Sequence, residues 1–324
     1  MNVPFPVTVA AHAAALVLVA VACARFARSP RGRSQEGDAA PRRSWGKLVA
    51  LVLVVSGIGL SADAWIIEPR RLVVREETID SGAFRGAPLR IAAIGDVHIG
   101  GPHMSLSRLA DVIERVNAQG AELVVLLGDY IDGHERIAAR SLEERADLAT
   151  GIAMLGRLRA DLGVLAVIGN HDVWYDRDSV VAGLEAASIR VLENRHVVLR
   201  RGDGSELVVA GLEDATTQSP DYAAALRGAP EGIDRIVLAH SPDPFAGSPQ
   251  GIALTVAAHT HCGQVLVPFV GRPMIPSPLG QRYACGLIVE RGQPLYVTAG
   301  LGTSILPVRF LTPPEISLLT LRPL

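Results

Sequence analysis

Aromatic residues are scarce: Phe, Tyr and Trp together make up 4% of the 324-residue chain. Its core must therefore be filled by aliphatic side chains, chiefly Val, Leu, Ile and Ala. Cysteine is scarcer still. Cys23, Cys262 and Cys285 are the three present, an odd number without framework spacing, which excludes a disulfide-built scaffold. Cys23 falls in an apolar run, which leaves Cys262 and Cys285 free to pair. Nothing in the sequence brings their Cα atoms within bonding range, and the pair is not expected. Charge of one sign is also missing: the net charge is −2 and the isoelectric point is near 6.5. That excludes the basic domain or stripe by which proteins hold nucleic acid. There is no internal repeat.

What the chain does have is unusual hydropathy for an enzyme, concentrated in its first 70 residues. Two apolar segments, spanning about residues 7–26 and 48–67, are each long enough to cross a bilayer core as a helix. Trp45 and Trp65 lie near the ends of the second, where indoles favour the interface. His12 and Asp63 read as tolerated polar residues, Asp63 close enough to its segment's end to be solvated. Between the segments runs a loop carrying Arg25, Arg28, Arg31, Arg33, Arg42, Arg43 and Lys47, offset only by Glu36 and Asp38. Basic loops stay in the cytoplasm, so both termini are expected outside. Arg70, Arg71 and Arg75 follow the second segment and weaken that bias without reversing it. A cleaved signal peptide fits less well, because residues 1–12 contain no Lys or Arg. The expected organisation is a transmembrane hairpin over 1–68, a connector over 69–88 and a catalytic domain over 89–324.

Beyond the connector, which holds one short strand near Leu72–Thr78, short apolar runs alternate with helical patterns. Leu89–Ile94, Leu123–Leu127 and Gly163–Ile168 read as buried strands. Ser105–Ala118, Ser141–Arg159 and Asp178–Ala187 read as helices, the last capped by Asp178 or Ser179. The pattern then turns β-rich. His196–Arg200 and Glu206–Ala210 flank the turn Gly202-Asp203-Gly204. Ile236–Ala239 and Leu254–Ala257 follow, then a hairpin turning at Arg291-Gly292, and Ile316–Leu321 closes the sheet. This is an α/β rhythm, and nearly every polar motif falls just after an apolar strand. Ligands of open α/β sheets bind outside those carboxyl ends, so the motifs should share one edge.

Five short motifs carry chemistry: Asp96-Val97-His98, Gly128-Asp129-Tyr130-Ile131-Asp132, Gly169-Asn170-His171-Asp172, His240, and His259-Thr260-His261. Each alone is weak, and a lone histidine is usually just a satisfied histidine. Together they supply oxygen and nitrogen donors for two adjacent divalent ions, the clamp used for in-line displacement at a phosphate ester. Carboxylate, imidazole and amide donors suit Mn²⁺, Fe²⁺ or Zn²⁺. In an extended segment, Asp-x-His spacing would project both side chains to one side. His103 and His134 lie near the motifs and are not expected to touch substrate; His196 is expected to be structural.

Taken in this order, the motifs resemble those of the calcineurin-like metallophosphoesterases, whose pattern D-x-H, G-D-x-x-D, G-N-H-[DE], H and G-H-x-H runs from Asp96 to His261. The tail, from Thr298 through Gly302, Pro307 and Arg309 to Ile316, is similar to a membrane-associated bacterial branch of that family. The resemblance implies a four-layer α/β/β/α sandwich. It implies that Asp96, His98, Asp129 and His261 hold one metal ion, and Asp129, Asn170, His240 and His259 the second. His171 would protonate the leaving oxygen and Asp132 would orient it. Two positions depart from the family: Cys262 stands where glycine is usual, read here as one small residue for another, and Gly133 follows Asp132 in place of the arginine of protein phosphatases. The second departure argues against a phosphoprotein substrate.

These readings imply a membrane-anchored, two-metal phosphoesterase that hydrolyses phosphodiesters or phosphomonoesters with a metal-activated water. It would sit in a bacterial plasma membrane with its catalytic domain on the outer side, which makes envelope or lipid-linked phosphates attractive substrates. A cytoplasm-facing pyrophosphatase of the UDP-2,3-diacylglucosamine type is the alternative enzyme, and a non-catalytic membrane scaffold the alternative of another class.

Overall fold

The computed structural model describes residues 42–324, which divide into two units between Ile67 and Glu68. The expected first span and most of the basic loop lie outside the described residues. The described part of the first unit is a helix, α1 (Arg42–Ala62), ending in one turn of π-helix over Asp63–Ile67. Helical structure runs on from Leu48 to Arg70, the one helix among the described residues long and apolar enough to cross a membrane.

The second unit is built on two six-stranded sheets. The first has the order β1 (Val73–Ser81), β12 (Glu315–Pro323), β2 (Leu89–Ile94), β3 (Leu123–Leu126), β4 (Val164–Ala166), β5 (Arg190–Val191). The second runs β10 (Gly286–Glu290), β11 (Gln293–Val297), β9 (Leu254–Ala257), β8 (Asp234–Leu238), β7 (Glu206–Gly211), β6 (Arg195–Arg200). Strands β2, β3, β4 and β5 are mutually parallel, as are β7, β8, β9 and β11.

Alternation explains why these strands are apolar throughout. Ile91, Ala93, Leu123 and Val125 face the second sheet and meet Val209, Ile236, Leu254 and Val256 there. Their neighbours Ala92, Ile94, Val124 and Leu126 face helices instead. A strand buried on both faces has no polar face to show. Those helices are α2 (Leu106–Asn117), α3 (Leu142–Leu155) and α4 (Asn170–Ala186). On α2 the stripe Leu109, Val112, Ile113 and Val116 is buried, as its periodicity predicts. Ser141 caps α3 in a reciprocal capping box with Glu144. The hairpin turn at Arg291-Gly292 has φ of +54° and +74°, as a tight two-residue turn requires.

Three expectations need correction. Residues 73–81 do not belong to a connector, because β1 pairs in parallel with β12 and widens the first sheet. The helix expected from residue 178 starts at Asn170 and breaks at Asp176, where φ is −179° and ψ is 93°. Asp176, rather than Asp178 or Ser179, caps the later part, accepting from the Ser179 amide at 3.3 Å. Finally, the layer outside the second sheet is thin. Two small clusters, around Val237 and around Phe245, are covered there by the four-residue helix α5 (Tyr222–Ala225) and by 3-10 turns.

Candidate metal centre

Each of the site's parallel strands delivers a polar turn at its carboxyl end: β2 to Asp96, β3 to Asp129, β4 to Asn170, β8 to His240 and β9 to His259. These turns are coiled. Asp96, His98, Asp129, His259 and His261 have φ of +50°, +51°, +54°, +67° and +49°. A left-handed backbone is uncommon outside glycine and persists where its surroundings over-determine it. The side chains of Asp96 and His98 therefore converge because the chain coils, and not by strand alternation as expected. Close approach also dictates glycine at two positions. A Cβ on Gly169 would lie 2.2 Å from Oδ1 of Asp129, and one on Gly128 2.5 Å from the Gly169 amide nitrogen.

The structure brings all seven expected ligands together, and all seven are buried but for His259, which is nearly so. Asp96, His98 and His261 form one group and Asp129, His240 and His259 another; within each, one donor atom per residue lies within 4.8 Å of the others. A hydrogen bond at the far side of the His240 ring assigns its donor atom. His240 Nδ1 is 2.7 Å from the Leu127 carbonyl, to which it donates. In the neutral ring its Nε2 is then a bare acceptor, and it faces Asn170 Oδ1 at 3.1 Å, His259 Nδ1 at 3.1 Å and Asp129 Oδ2 at 3.3 Å. His98 Nδ1 lies 3.5 Å from Asp132 Oδ1, and its Nε2 faces His261 Nε2 at 3.2 Å. Oδ2 of Asp96 has no hydrogen-bond partner among the described residues. Acceptors gathered this closely suit cations, and the donor set fits divalent ions.

Electrostatics points the same way. Burial pushes Asp96 up to about 7 and His98 down to about 3, so the charged form of each is costly there. Burial acts likewise on Asp129, but the imidazoles of His240, His171 and His98 outweigh it and hold this carboxyl well below the usual range. In His240 burial acts downward, and Asp129 overcomes it and raises the imidazole to about 10. A bound cation would be the largest local charge and would reverse this balance.

The two expected catalytic residues are placed differently from each other. His171 Nδ1 donates to the Gly133 carbonyl at 2.7 Å, which leaves Nε2 facing the site, 3.9 Å from Asp129 Oδ2. Asp132, expected to orient that ring, lies 3.5 Å from His98 Nδ1 and also feels the His171 imidazole, which pulls against the burial that raises its carboxyl; the Gly133 carbonyl takes the His171 ring proton. His171 is also near enough to group with His98 and Asp129. Beside the centre opens a cavity of about 430 Å³. His134 lines it, 4.8 Å ring to ring from His171, together with Trp174. His103 bonds the Pro307 carbonyl and His196 the Ala225 carbonyl, both structural contacts.

Three supporting features were not assigned roles from sequence. Asp172, fully buried, accepts from the amides of Asp129, Tyr130, Ile131 and Gly169 at 2.8–3.2 Å. Arg309, also fully buried, donates to the carbonyls of Ala299, Gly300, Gly302 and Thr312. It thereby shapes the loop whose Gly300 and Gly302 press against Asp96 and His98. The third corrects an expectation: Cys262 and Cys285 form a disulfide, with Cα atoms 4.7 Å apart. Their 23-residue separation gave no sign of it, because only the tertiary fold closes that distance.

The fold and this centre together define a metal-dependent phosphoesterase. Residues 89–263 match the model of the calcineurin-like phosphoesterase family, and the chain belongs to that family. It is a phosphoric ester hydrolase of a family that uses two divalent metal ions. Among its relatives is the metallophosphoesterase YkuE of Bacillus subtilis (strain 168), 32% identical over 79% of this chain and 87% of that one. The phosphodiesterase YaeI of Escherichia coli (strain K12) is 29% identical over 72% of this chain and 83% of its own. A transmembrane protein with a metallophosphoesterase domain from Danio rerio is 26% identical over 90% of this chain, which spans 66% of that protein.

Proposed function

We propose that this chain is a membrane-anchored phosphoesterase that hydrolyses phosphodiesters or phosphomonoesters carrying an apolar group, on the outer side of a bacterial plasma membrane. Asp129 carries the reading, since its Oδ2 lies 3.3 Å from His240 Nε2 and 3.9 Å from His98 Nε2, between the two donor groups. On this reading Asp96, His98, Asp129 and His261 hold one ion, and Asp129, Asn170, His240 and His259 the other. Two such ions, when bound, supply an activated water and neutralise charge developing on the phosphate. The proton to the departing oxygen comes from His171, whose Nε2 faces the site because Nδ1 is committed to Gly133. Trp174 and His134 pack beside that ring and limit water's access to it.

The apolar group is suggested by the cavity's mouth, where Met274 and Ile305 are 63% and 75% exposed. The helix Leu48–Arg70 supports anchoring, as does the transmembrane relative. Orientation rests on the basic loop before that helix and on the disulfide, a bond that persists in oxidising compartments. A cytoplasm-facing lipid pyrophosphatase would expose the bond to reducing thiols.

The test uses the full chain in detergent, stripped of metal and reloaded with Mn²⁺, acting on bis-p-nitrophenyl phosphate and p-nitrophenyl phosphate. Metal-dependent turnover lost in Asp129→Ala is the expected result, and the preferred compound separates diesterase from monoesterase. His171→Gln is expected to lower kcat about 10²–10⁴-fold with bound metal unchanged. A loaded chain inert toward both compounds and toward phospholipid head groups sinks the activity, and a reporter fused after Leu324 that is active only in the cytoplasm sinks the orientation.

A further inference from the structure

Between β9 and the rest of the second sheet, the chain runs through an unusual stretch. His259, His261, Cys262, Gly263 and Gln264 all have positive φ, from +49° to +71°, and only Thr260 interrupts them at −74°. Four of those five are not glycine, so the stretch holds its shape only under restraint from outside. Part of that restraint comes from Asp96, which accepts from the His259 amide, and from residues 304, 306 and 310, which bond Gln264; at Thr260 and Cys262 it comes from one neighbour. Thr260 Oγ1 donates to the Ala284 carbonyl at 2.8 Å, and the next residue, Cys285, is bonded to Cys262. Residues 284 and 285 lead directly into the edge strand β10 and are themselves anchored by Tyr283, fully buried against Phe245. Thr260 and Cys262 are fully buried, whereas Cys285 is partly accessible. The two histidines of this stretch divide between the donor groups, His261 with Asp96 and His98, His259 with Asp129 and His240.

We propose that the Cys262–Cys285 disulfide is a positioning element for both metal sites: it holds His259 and His261 in their ligating pose, so that retention of both ions depends on the oxidised bond. The inference rests on the two-metal reading above. Reduction by a phosphine takes one water, breaks the S–S bond, leaves two thiols and yields the phosphine oxide. The stretch then keeps Thr260 as its direct tie to residue 284 and loses its covalent tie to residue 285. Closing a loop of this length by a covalent bond removes much of the freedom the open loop would have, and here that freedom would be spent at the ligands.

The experiment uses the full chain in detergent. Metal affinity is measured by competition against a fluorescent chelator, and the Co²⁺ ligand-field spectrum is recorded, before and after phosphine reduction and removal of the phosphine under argon. Alkylation and mass measurement show whether the bond was present and then broken. Reduction is expected to weaken binding of both ions at least about tenfold and to shift the Co²⁺ spectrum, within the range seen when groups that orient ligands are removed. Cys285→Ser should show the same loss and no further response to phosphine. A second variant separates loop positioning from general stability: in Cys262→Gly with Cys285→Ala the bond is absent, but glycine accepts the left-handed φ. That variant is expected to recover part of the lost affinity without recovering thermal stability. Unchanged affinity and spectrum after verified reduction overturn the proposal, as does an oxidised preparation with both thiols free. An oxidised chain that binds no metal overturns the two-metal reading first, and this inference falls with it.

Discussion

The two sheets hold their ligand turns by different means. In the first, Asp96, His98 and Asp129 are left-handed residues stabilised by buried charge. Asp172 gathers the amides around Asp129, and Arg309 gathers the carbonyls of the loop that presses on Asp96 and His98. In the second, His259 and His261 are equally left-handed: the His259 amide donates to Asp96 Oδ1 at 3.1 Å, and the rest of the stretch is held by a disulfide, the Thr260 hydroxyl and the Gln264 side chain. The difference follows from what surrounds each turn. The first sheet is covered outside by α2, α3 and α4, so a charge network can be sealed from water. The second has only α5 and 3-10 turns over it.

Breaking the first half should cost most. Asp172→Ala removes the acceptor of four buried amides at once, and we expect about 3–5 kcal/mol of destabilisation, together with loss of metal, read by urea unfolding and metal analysis. Arg309→Met should cost less, about 2–3 kcal/mol, because relief from burying a cation offsets part of the lost hydrogen bonding. Burial already pulls this guanidinium down to about 10, a sign of how costly its charge is there. The same variant should weaken metal binding about 10–100-fold through Asp96 and His98. Full retention of metal in Arg309→Met would show that the loop at 299–302 does not shape the first group.

The same contrast explains what could be read from sequence. The polar residues at the ends of β2, β3, β4, β8 and β9 stood out because each follows a run of buried aliphatics, and strand ends share an edge by topology. Asp172 and Arg309 were visible in motifs but mute about their roles, since a buried ion looks like a surface ion until its partners are known. The bond between Cys262 and Cys285 was invisible for a related reason: it depends on where β10 begins relative to the end of β9. The left-handed turns were hidden too, because Asp and His give no sign of positive φ comparable to that of glycine. Asp176 gives no cap signal in the sequence, because the helical turn at Asn170-His171-Asp172 precedes it.

The smallest effect belongs to the second half and tests how its two ties share the load. Thr260→Val keeps the side-chain shape and removes the donor to Ala284, leaving that carbonyl unpaired, for about 1–2 kcal/mol. Because the disulfide acts on the neighbouring residue, Thr260→Val and Cys285→Ser should not add. With the bond intact the carbonyl and the stretch remain in register, and the loss stays small. With the bond gone, Thr260 becomes the sole direct tie between residues 260–262 and 284–285 among the contacts described, and its removal should cost more. A double-mutant cycle by urea unfolding should therefore give a coupling of about 0.5–2 kcal/mol, in the range found for groups acting on one backbone segment. Simple additivity would mean that the two ties restrain independent parts of the stretch, and the contrast between a charge-held and a covalently held half would have to be redrawn around Gln264, whose side chain joins the same stretch to residues 304 and 306.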